Sequence, residues 1–144
     1  MKFISPLKIF ASKAKQWILN LNSYRNTHYR VLNNCKINYK KYMESQIKKS
    51  KSLKKIICVY TAYNSTKRKF DLGNVCSVHE KFFEDALVEL GKLPDDNVDY
   101  IPIVIYMYGG LDRDKPRVDI NVMDYSKESI DKVFEMLYNK IGGK

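Results

Sequence analysis

The segment VCSVHEKFFEDALVEL (75–90) is the clearest helix of the chain, and two strongly apolar runs flank it. Its apolar side chains recur at helical spacing, which predicts an amphipathic helix with a wide buried face. The runs KIICVYTAY (55–63) and IPIVIYMYGG (101–110) are rich in β-branched and aromatic residues and predict strands. A chain with this order must combine a sheet and helices around one core.

Turn and capping residues give the expected ends of this helix. Ser77 and Glu80 have the spacing of a capping box, and Asn74 is a competing N-cap. Gly91 is well placed just beyond the last turn.

The other segments complete an order of strand, helix, strand, helix, strand, strand, helix. We predict a strand over 16–21, a helix over 30–49, a strand with one wet face over 117–125 and a final helix over 127–141. The last two strands are joined by a short loop that contains glycine, so we expect an antiparallel pair. The prediction is a single α/β (α+β) domain over residues 1–144, a small mixed sheet packed with helices, with 1–15 and 142–144 as candidate flexible segments.

Charge is divided unevenly along the chain. Residues 1–69 carry 17 Lys and Arg and one acid, Glu44, whereas residues 70–144 carry 9 Lys and Arg and 15 Asp and Glu. This asymmetry suggests a polyanionic partner and excludes a uniformly acidic carrier. It does not separate a nucleic-acid enzyme from a protein that only binds.

Cysteine usage and hydropathy exclude several classes. The three cysteines, Cys35, Cys58 and Cys76, lack CxxC spacing and predict reduced thiols, with Cys58 in the core. Two histidines are too few for a histidine-based metal site. The apolar run at the amino end is too interrupted for a signal peptide, and no run approaches the length of a membrane span. We therefore expect a soluble cytoplasmic protein with no membrane partner and no small-molecule cofactor.

Carboxylates cluster around the helix 75–90. Asp71 precedes it, Glu80, Glu84, Asp85 and Glu89 lie on it, and Asp95, Asp96 and Asp99 follow it. Lys81 and Asp85 are four apart and could form a surface ion pair, while Asp95-Asp96 could be ordinary turn residues. Carboxylates that face one another need a counter-charge, and oxygen-only ligands favour Mg²⁺ or Mn²⁺.

Two segments resemble the RusA family of Holliday-junction resolvases. These are FDLGNVCSVHEKFFEDALVELGKLPDDNVDYI (70–101) and NLNSYRNTHYRVLNNCK (20–36), which has an Asn-x-x-Tyr spacing and a later Lys. The matching residues are Asp71 and Asn74 in the loop, Lys81 and Asp85-Ala86-Leu87 on the helix, and Asp95-Asp96 beyond it. The resemblance covers roughly residues 16–123, and such proteins are often encoded by phages or prophages.

The resemblance implies a homodimeric endonuclease that nicks four-way DNA junctions by metal-assisted phosphodiester hydrolysis in recombination and repair. It implies catalytic roles for Asp71, Lys81, Asp85 and Asp96, and Mg²⁺ (or Mn²⁺) held by Asp71, Asp85 and Asp96 with Asp95 close by. Lys81 would stabilise charge on the phosphate or orient Asp85. The chain departs from the family pattern at Gly73, where a second Asp is expected. Either Glu80 or Asp85 supplies the missing oxygen, or metal binding is weakened or lost.

The basic half would then contact branched DNA. The candidate residues combine cations for phosphates with rings that could stack on bases: Asn22, Tyr24, Arg25, His28, Tyr29, Arg30, Lys67, Arg68 and Lys69. We expect six other tyrosines to be core or sheet residues, namely Tyr39, Tyr42, Tyr60, Tyr63, Tyr106 and Tyr108, and Trp17 to pack in the core. Two alternatives stay open. One is a non-catalytic binder of branched DNA with a decayed metal site, and the other is a membrane-surface protein that uses the basic amino end.

Overall fold

The computed structural model of the chain describes residues 1–142 and has an α+β fold, as predicted. Its elements are β1 (Lys2–Pro6), β2 (Lys8–Phe10), β3 (Gln16–Ile18), α1 (Leu21–Asn26), α2 (Tyr29–Lys48), β4 (Ile56–Asn64), α3 (Leu72–Glu89), β5 (Ile103–Leu111), β6 (Arg117–Asp124) and α4 (Lys127–Gly142). None of the helices it describes is long and apolar enough to cross a membrane.

The main sheet has four strands in the order β1-β6-β4-β5. The central strand β4 is buried from Ile56 to Ala62 because its apolar side chains face helices on both sides of the sheet. On one side lies the larger core, in which α2 and α3 pack on the sheet. On the other side, Val133 of α4 packs against Ile57 and Val59.

The expected antiparallel pairing of β5 with β6 is wrong. β5 pairs in parallel with β4, and β6 pairs antiparallel with the other edge of β4, so β4 separates them. The connecting loop 112–116 passes over the end of β4, where Asp112 N donates to Asn64 O over 2.8 Å. The expected wet face of β6 is confirmed in part: Arg117, Asn121 and Met123 are half-buried, whereas Asp119 is buried beside Arg117.

The amino-terminal segment is structured instead of flexible. β1 pairs antiparallel with β6, and β2 forms a two-stranded sheet with β3, which is shorter than the predicted strand 16–21. The described part of the carboxyl end is helical to Gly142, and residues 143–144 of the predicted flexible tail lie outside the described residues.

Most predicted core positions are confirmed, and Tyr42 is corrected. Cys58 and Trp17 are buried, and the Trp17 ring stacks on Phe82 at 5.5 Å. On α2, Tyr42 is exposed, and Met43 takes the buried position beside Tyr39. Val31 on α2 and Phe134 and Ile141 on α4 are also exposed, although each follows the apolar spacing of its helix.

Candidate nucleic-acid and metal site

Asp71 is the N-cap of α3, which begins three residues earlier than predicted. Its Oδ1 accepts a hydrogen bond from Gly73 N at 3.0 Å, so neither Ser77 nor Asn74 caps the helix. The carboxylate is otherwise solvent-exposed. An aspartate here stabilises α3 both by capping and by its charge at the positive end of the helix dipole. The helix does end at Gly91, whose φ of 75° requires the conformational freedom of glycine.

Asn74 joins the two segments that carry the family resemblance. Its Oδ1 accepts from Leu21 N at 3.1 Å, while Asn20 caps α1 by accepting from Ser23 N at 2.8 Å. The first turns of α1 and α3 therefore meet. This contact places Asn22 and Arg25 of α1 beside Asp71.

An open depression of about 500 Å³ lies where α1 and α3 meet. Its lining combines one carboxylate, one guanidinium, two amides and two hydroxyls, from residues Leu21, Asn22, Arg25, Asp71, Gly73, Asn74, Ser77 and Tyr106. Ser77 Oγ is buried there and has no hydrogen-bond partner among the described residues. These polar groups could hold a phosphate beside the exposed oxygens of Asp71.

Of the predicted nucleic-acid residues, Asn22 and Arg25 line this depression, and the others lie on α1, just after it, or in the loop before α3. Lys67, Arg68 and Lys69 are exposed in the loop that leads into α3, and Arg25, His28, Tyr29 and Arg30 are exposed between α1 and the start of α2. Tyr24 is half-buried and packs edge-on against Phe82, so it supports the fold as well as the surface. His28 caps α2 by accepting from Arg30 N, and its ring lies 4.6 Å from that of Tyr29.

Lys81 is exposed near the middle of α3. Its Nζ lies 5.9 Å from the centroid of the Tyr24 ring, and the described residues contain no Lys81–Asp85 ion pair. The ammonium group thus remains free to meet an anion on the same surface as the depression.

Two glutamates of α3 point into the sheet and are held by tyrosines. Tyr60 OH donates to Glu84 Oε1 at 3.0 Å, and Tyr106 OH donates to Glu80 Oε2. Burial, together with the neighbouring Glu80 carboxylate, raises the pKa of Glu84 to about 8. Glu84 is therefore largely protonated at neutral pH, which makes it a poor ligand for a cation in this state.

Asp85 and Asp96 come together at the carboxyl-terminal half of α3. Burial raises the pKa of Asp85, the Lys36 ammonium lowers it, and contact with the Asp96 carboxyl raises it. Asp95 instead makes turn contacts, because its carboxylate accepts from Asp96 N at 2.7 Å and from Asn97 Nδ2 at 2.9 Å. Asp85 and Asp96 are thus the pair of carboxylates best placed to share a cation.

Asp71 does not join this pair within one chain. Asp71 and Asp85 are 14 positions apart on the same helix, which separates them by about 21 Å. Within residues 1–142, no three Asp, Glu, His or Cys side chains converge as a metal site would require. The expected ligand set of Asp71, Asp85 and Asp96 is chemically suited to Mg²⁺, but one chain divides it between the two ends of α3.

Sequence reasoning missed the roles of Lys36, Tyr60 and Tyr106. Lys36 of α2 faces Asp85 of α3. One turn further along both helices, Lys40 forms an ion pair with Glu89 at 2.6 Å. These contacts between α2 and α3 cannot be predicted from the sequence alone, because they depend on how the two helices pack against each other. The tyrosine partners depend on the parallel register of β4 and β5, in which Tyr60 lies opposite Tyr106.

Comparison with protein-family models and with curated protein sequences found no match to this chain.

Proposed function

We propose that the protein is a metal-dependent endonuclease that nicks four-way DNA junctions in the bacterial cytoplasm as a homodimer. The observation that carries the proposal is the depression at the start of α3, where Asp71 meets Asn22 and Arg25. It brings a carboxylate beside phosphate-binding groups and next to the exposed Lys67–Lys69 loop. An acid beside phosphate-binding groups repels a phosphate unless a bound cation offsets its charge, which favours metal-dependent chemistry over binding alone.

The division of the carboxylates makes two chains a requirement of this proposal. Asp71 and the pair Asp85–Asp96 lie at opposite ends of α3, so they can share a cation only if two copies face each other with their α3 helices reversed. Mg²⁺ or Mn²⁺ held there would polarise a phosphoryl oxygen and lower the pKa of the attacking water. Asn22, Arg25 and Lys81 would hold the phosphate and offset its charge.

Cleavage of a synthetic four-way junction tests the proposal. Wild-type protein should nick it only with Mg²⁺ or Mn²⁺, and Asp71→Asn and Asp96→Asn should each bind the junction without nicking it. Mixing the two inactive variants should restore about one quarter of the active sites, because half of the dimers are mixed and each mixed dimer has one intact site. A site contained in one chain would show no recovery on mixing.

A non-catalytic binder of branched DNA is the second candidate, and Gly73 favours it. Gly73 stands where the family pattern has a second Asp. Selective junction binding without nicking in either metal would support this candidate and reject the nuclease. Equal affinity for a junction and for a linear duplex of the same sequence would reject both.

A further inference from the structure

The outer edge of β5 is long, apolar and unprotected. β5 pairs with β4 on one side, and no strand among residues 1–142 pairs with its other side. Its nine residues, IVIYMYGGL, include neither a charged residue nor a proline. Among the described residues, one side chain donates to its carbonyls, from Lys140 Nζ to Gly109 O at 3.0 Å. Such an edge invites pairing with another chain unless a partner covers it.

The opposite edge of the same sheet, β1, is protected. β1 has five residues and contains Lys2 and Pro6. The side-chain amide of Gln46 satisfies the backbone groups of Ile4 on this edge. Ile4 N donates to Gln46 Oε1 at 2.8 Å, and Gln46 Nε2 donates to Ile4 O at 3.0 Å. The fold thus blocks one edge by the means that usually prevent edge-to-edge association, and it leaves the other open.

We propose that β5 pairs antiparallel with β5 of a second copy, about a two-fold axis near Tyr106–Tyr108, to form a continuous eight-stranded sheet. A two-fold axis perpendicular to the strands relates two identical neighbouring strands as an antiparallel pair. The inference rests on the proposed function, which requires a homodimer, and it identifies the surface through which the two copies meet.

Charge complementarity favours a second copy over an unrelated peptide. α3 packs on β5, with Glu80 near its middle held by Tyr106 near the middle of the strand. A two-fold axis there reverses one α3 relative to the other. The amino end of α3, with Arg25 and the loop Lys67–Lys69, then lies towards the partner's carboxyl end and the acidic turn that follows it, with Asp95, Asp96 and Asp99.

The other face of the sheet adds an apolar surface to the same edge. Phe134, Tyr138 and Ile141 of α4 are 65%, 77% and 88% exposed, and Lys140 ties this end of α4 to Gly109 of β5. Aromatic side chains bury roughly 150–250 Å² each, so this stripe could add a few hundred Å² to the strand pairing. A specific interface needs about 800 Å² from each partner. The stripe would supply part of that area, in addition to the paired strands.

The oligomeric state of matched edge variants tests the inference in the absence of DNA and metal. Tyr108 on β5 and Ile4 on β1 are similarly exposed, at 45% and 46%. By sedimentation equilibrium, wild type and Ile4→Lys should form dimers of twice the 16.9 kDa chain mass at micromolar concentration. Tyr108→Lys should raise the dimer dissociation constant by at least about tenfold, because it places like charges close together across the axis. Far-UV circular dichroism establishes that each variant is folded.

Chemical crosslinking provides a second measurement that does not depend on a destabilising charge. The native cysteines are all buried, so Tyr108→Cys and Ile4→Cys each present one accessible thiol. A short bis-maleimide should join Tyr108→Cys chains into covalent dimers and leave Ile4→Cys chains largely monomeric. A monomeric wild type, equal dimerisation of Tyr108→Lys and wild type, or equal crosslinking at both positions would overturn the inference.

These results are separable from those that test the nuclease. A dimer that forms through β5 and never nicks a junction would keep this interface and reject the proposed activity. Metal-dependent junction cleavage by a Tyr108→Lys protein that is as dimeric as wild type would reject the interface and leave the proposed activity standing. Wild-type monomers that gain a partner only when an extended peptide is added would show that the edge accepts a different strand, and would overturn the pairing of two copies.

Discussion

Asp71 combines a structural role with a proposed catalytic one, and two substitutions separate them. Its carboxylate caps α3 through Gly73 N, and asparagine caps helices as well as aspartate does. We expect Asp71→Asn to change the free energy of unfolding by less than about 0.5 kcal/mol and Asp71→Ala to lower it by about 1 kcal/mol. Urea denaturation measures both. Asp131→Ala on the exposed face of α4 is the control, and equal losses for Asn and Ala at position 71 would contradict the capping role.

His79 should make stability depend on pH. The side chain is fully buried with Nδ1 2.7 Å from Ser5 Oγ, and Ser5 Oγ is also 2.7 Å from Tyr39 OH. Burial lowers the pKa of His79 to about 3, from an ordinary value of 6.5. Between these two values the unfolded chain binds a proton that the folded chain does not. His79 therefore lowers the free energy of unfolding as pH falls below 6.5, by about 1.4 kcal/mol per pH unit until pH approaches 3.

Comparison of two histidine variants measures this effect. Urea denaturation from pH 7 to pH 4 should give a shallower pH dependence for His79→Leu than for wild type, by the contribution of one proton. His28→Asn removes the exposed histidine, keeps an N-cap for α2 and should retain the wild-type slope. Identical slopes for His79→Leu and wild type would mean that the imidazole is not held neutral by burial.

At the scale of elements, the sequence predicts which segments form helices and strands better than it predicts how they pair. α2, α3, α4 and the three long strands were all anticipated, because each carries a strong periodic or β-branched pattern. The predicted pairing of β5 with β6 is wrong because a short loop between two strands does not require a hairpin. Five extended residues reach about 17 Å, whereas passing over one intervening strand needs about 10 Å. The continuous apolar run of β4 indicated a central strand and was the better guide.

The candidate site shows the same limit. Residue types and spacing identified Asp71, Asp85 and Asp96, but placing them together required knowing that α3 extends back to Leu72. Because α3 begins at Leu72, Asp71 is the N-cap of the helix instead of a residue of the preceding loop. Most of the length of α3 then separates Asp71 from Asp85. The contact of Asp85 with Asp96 can be predicted from the sequence, because Asp85 lies in the last turns of α3 and Asp96 lies in the turn that directly follows the helix.

Gly109 is an element-scale requirement at the bulge of β5. The β4–β5 register shifts between Ala62 and Tyr63, and a Cβ on Gly109 would lie 2.5 Å from the Tyr63 ring, which carries the Arg117 guanidinium 4.2 Å from its centroid. We expect Gly109→Ala to lower the free energy of unfolding by about 1–3 kcal/mol, because the ring must move and release Arg117.

Urea denaturation with a second glycine variant checks this prediction. Gly142→Ala lies in α4, where an added Cβ meets nothing within 4 Å, so it should be neutral or slightly stabilising. A Gly109→Ala protein as stable as wild type would show that the Tyr63 ring can shift without cost.

At the scale of the whole molecule, the positive charge is less uniform than the sequence suggests. Carboxylates neutralise several lysines of the basic half: Lys40 pairs with Glu89 at 2.6 Å, Lys48 with Glu44 at 2.7 Å and Lys51 with Asp124 at 2.5 Å. The loop Lys67–Lys69 is exposed, and its side chains form no ion pair among the described residues. Within the described part of the chain, the loop thus places three cations without an ion-pair partner together, directly before Asp71.

The salt dependence of DNA binding tests whether this local concentration matters. Each phosphate neutralised by a Lys or Arg contributes about 0.9 to the slope of log affinity against log salt on duplex DNA. Replacing Lys67, Arg68 and Lys69 together by alanine should reduce that slope by about 2–3 and weaken binding most at low salt. Fluorescence anisotropy with a labelled junction over a series of salt concentrations measures it.

The matched control removes the same net charge from lysines that already have partners. The triple variant of Lys40, Lys48 and Lys51 to alanine also lowers the net charge from +10 to about +7, yet its lysines are held by carboxylates and release few counterions on binding. Its slope should stay within about one unit of wild type. Equal reductions for both triple variants would mean that DNA responds to the total charge of the molecule, and the loop before Asp71 would lose its assigned place in the interface.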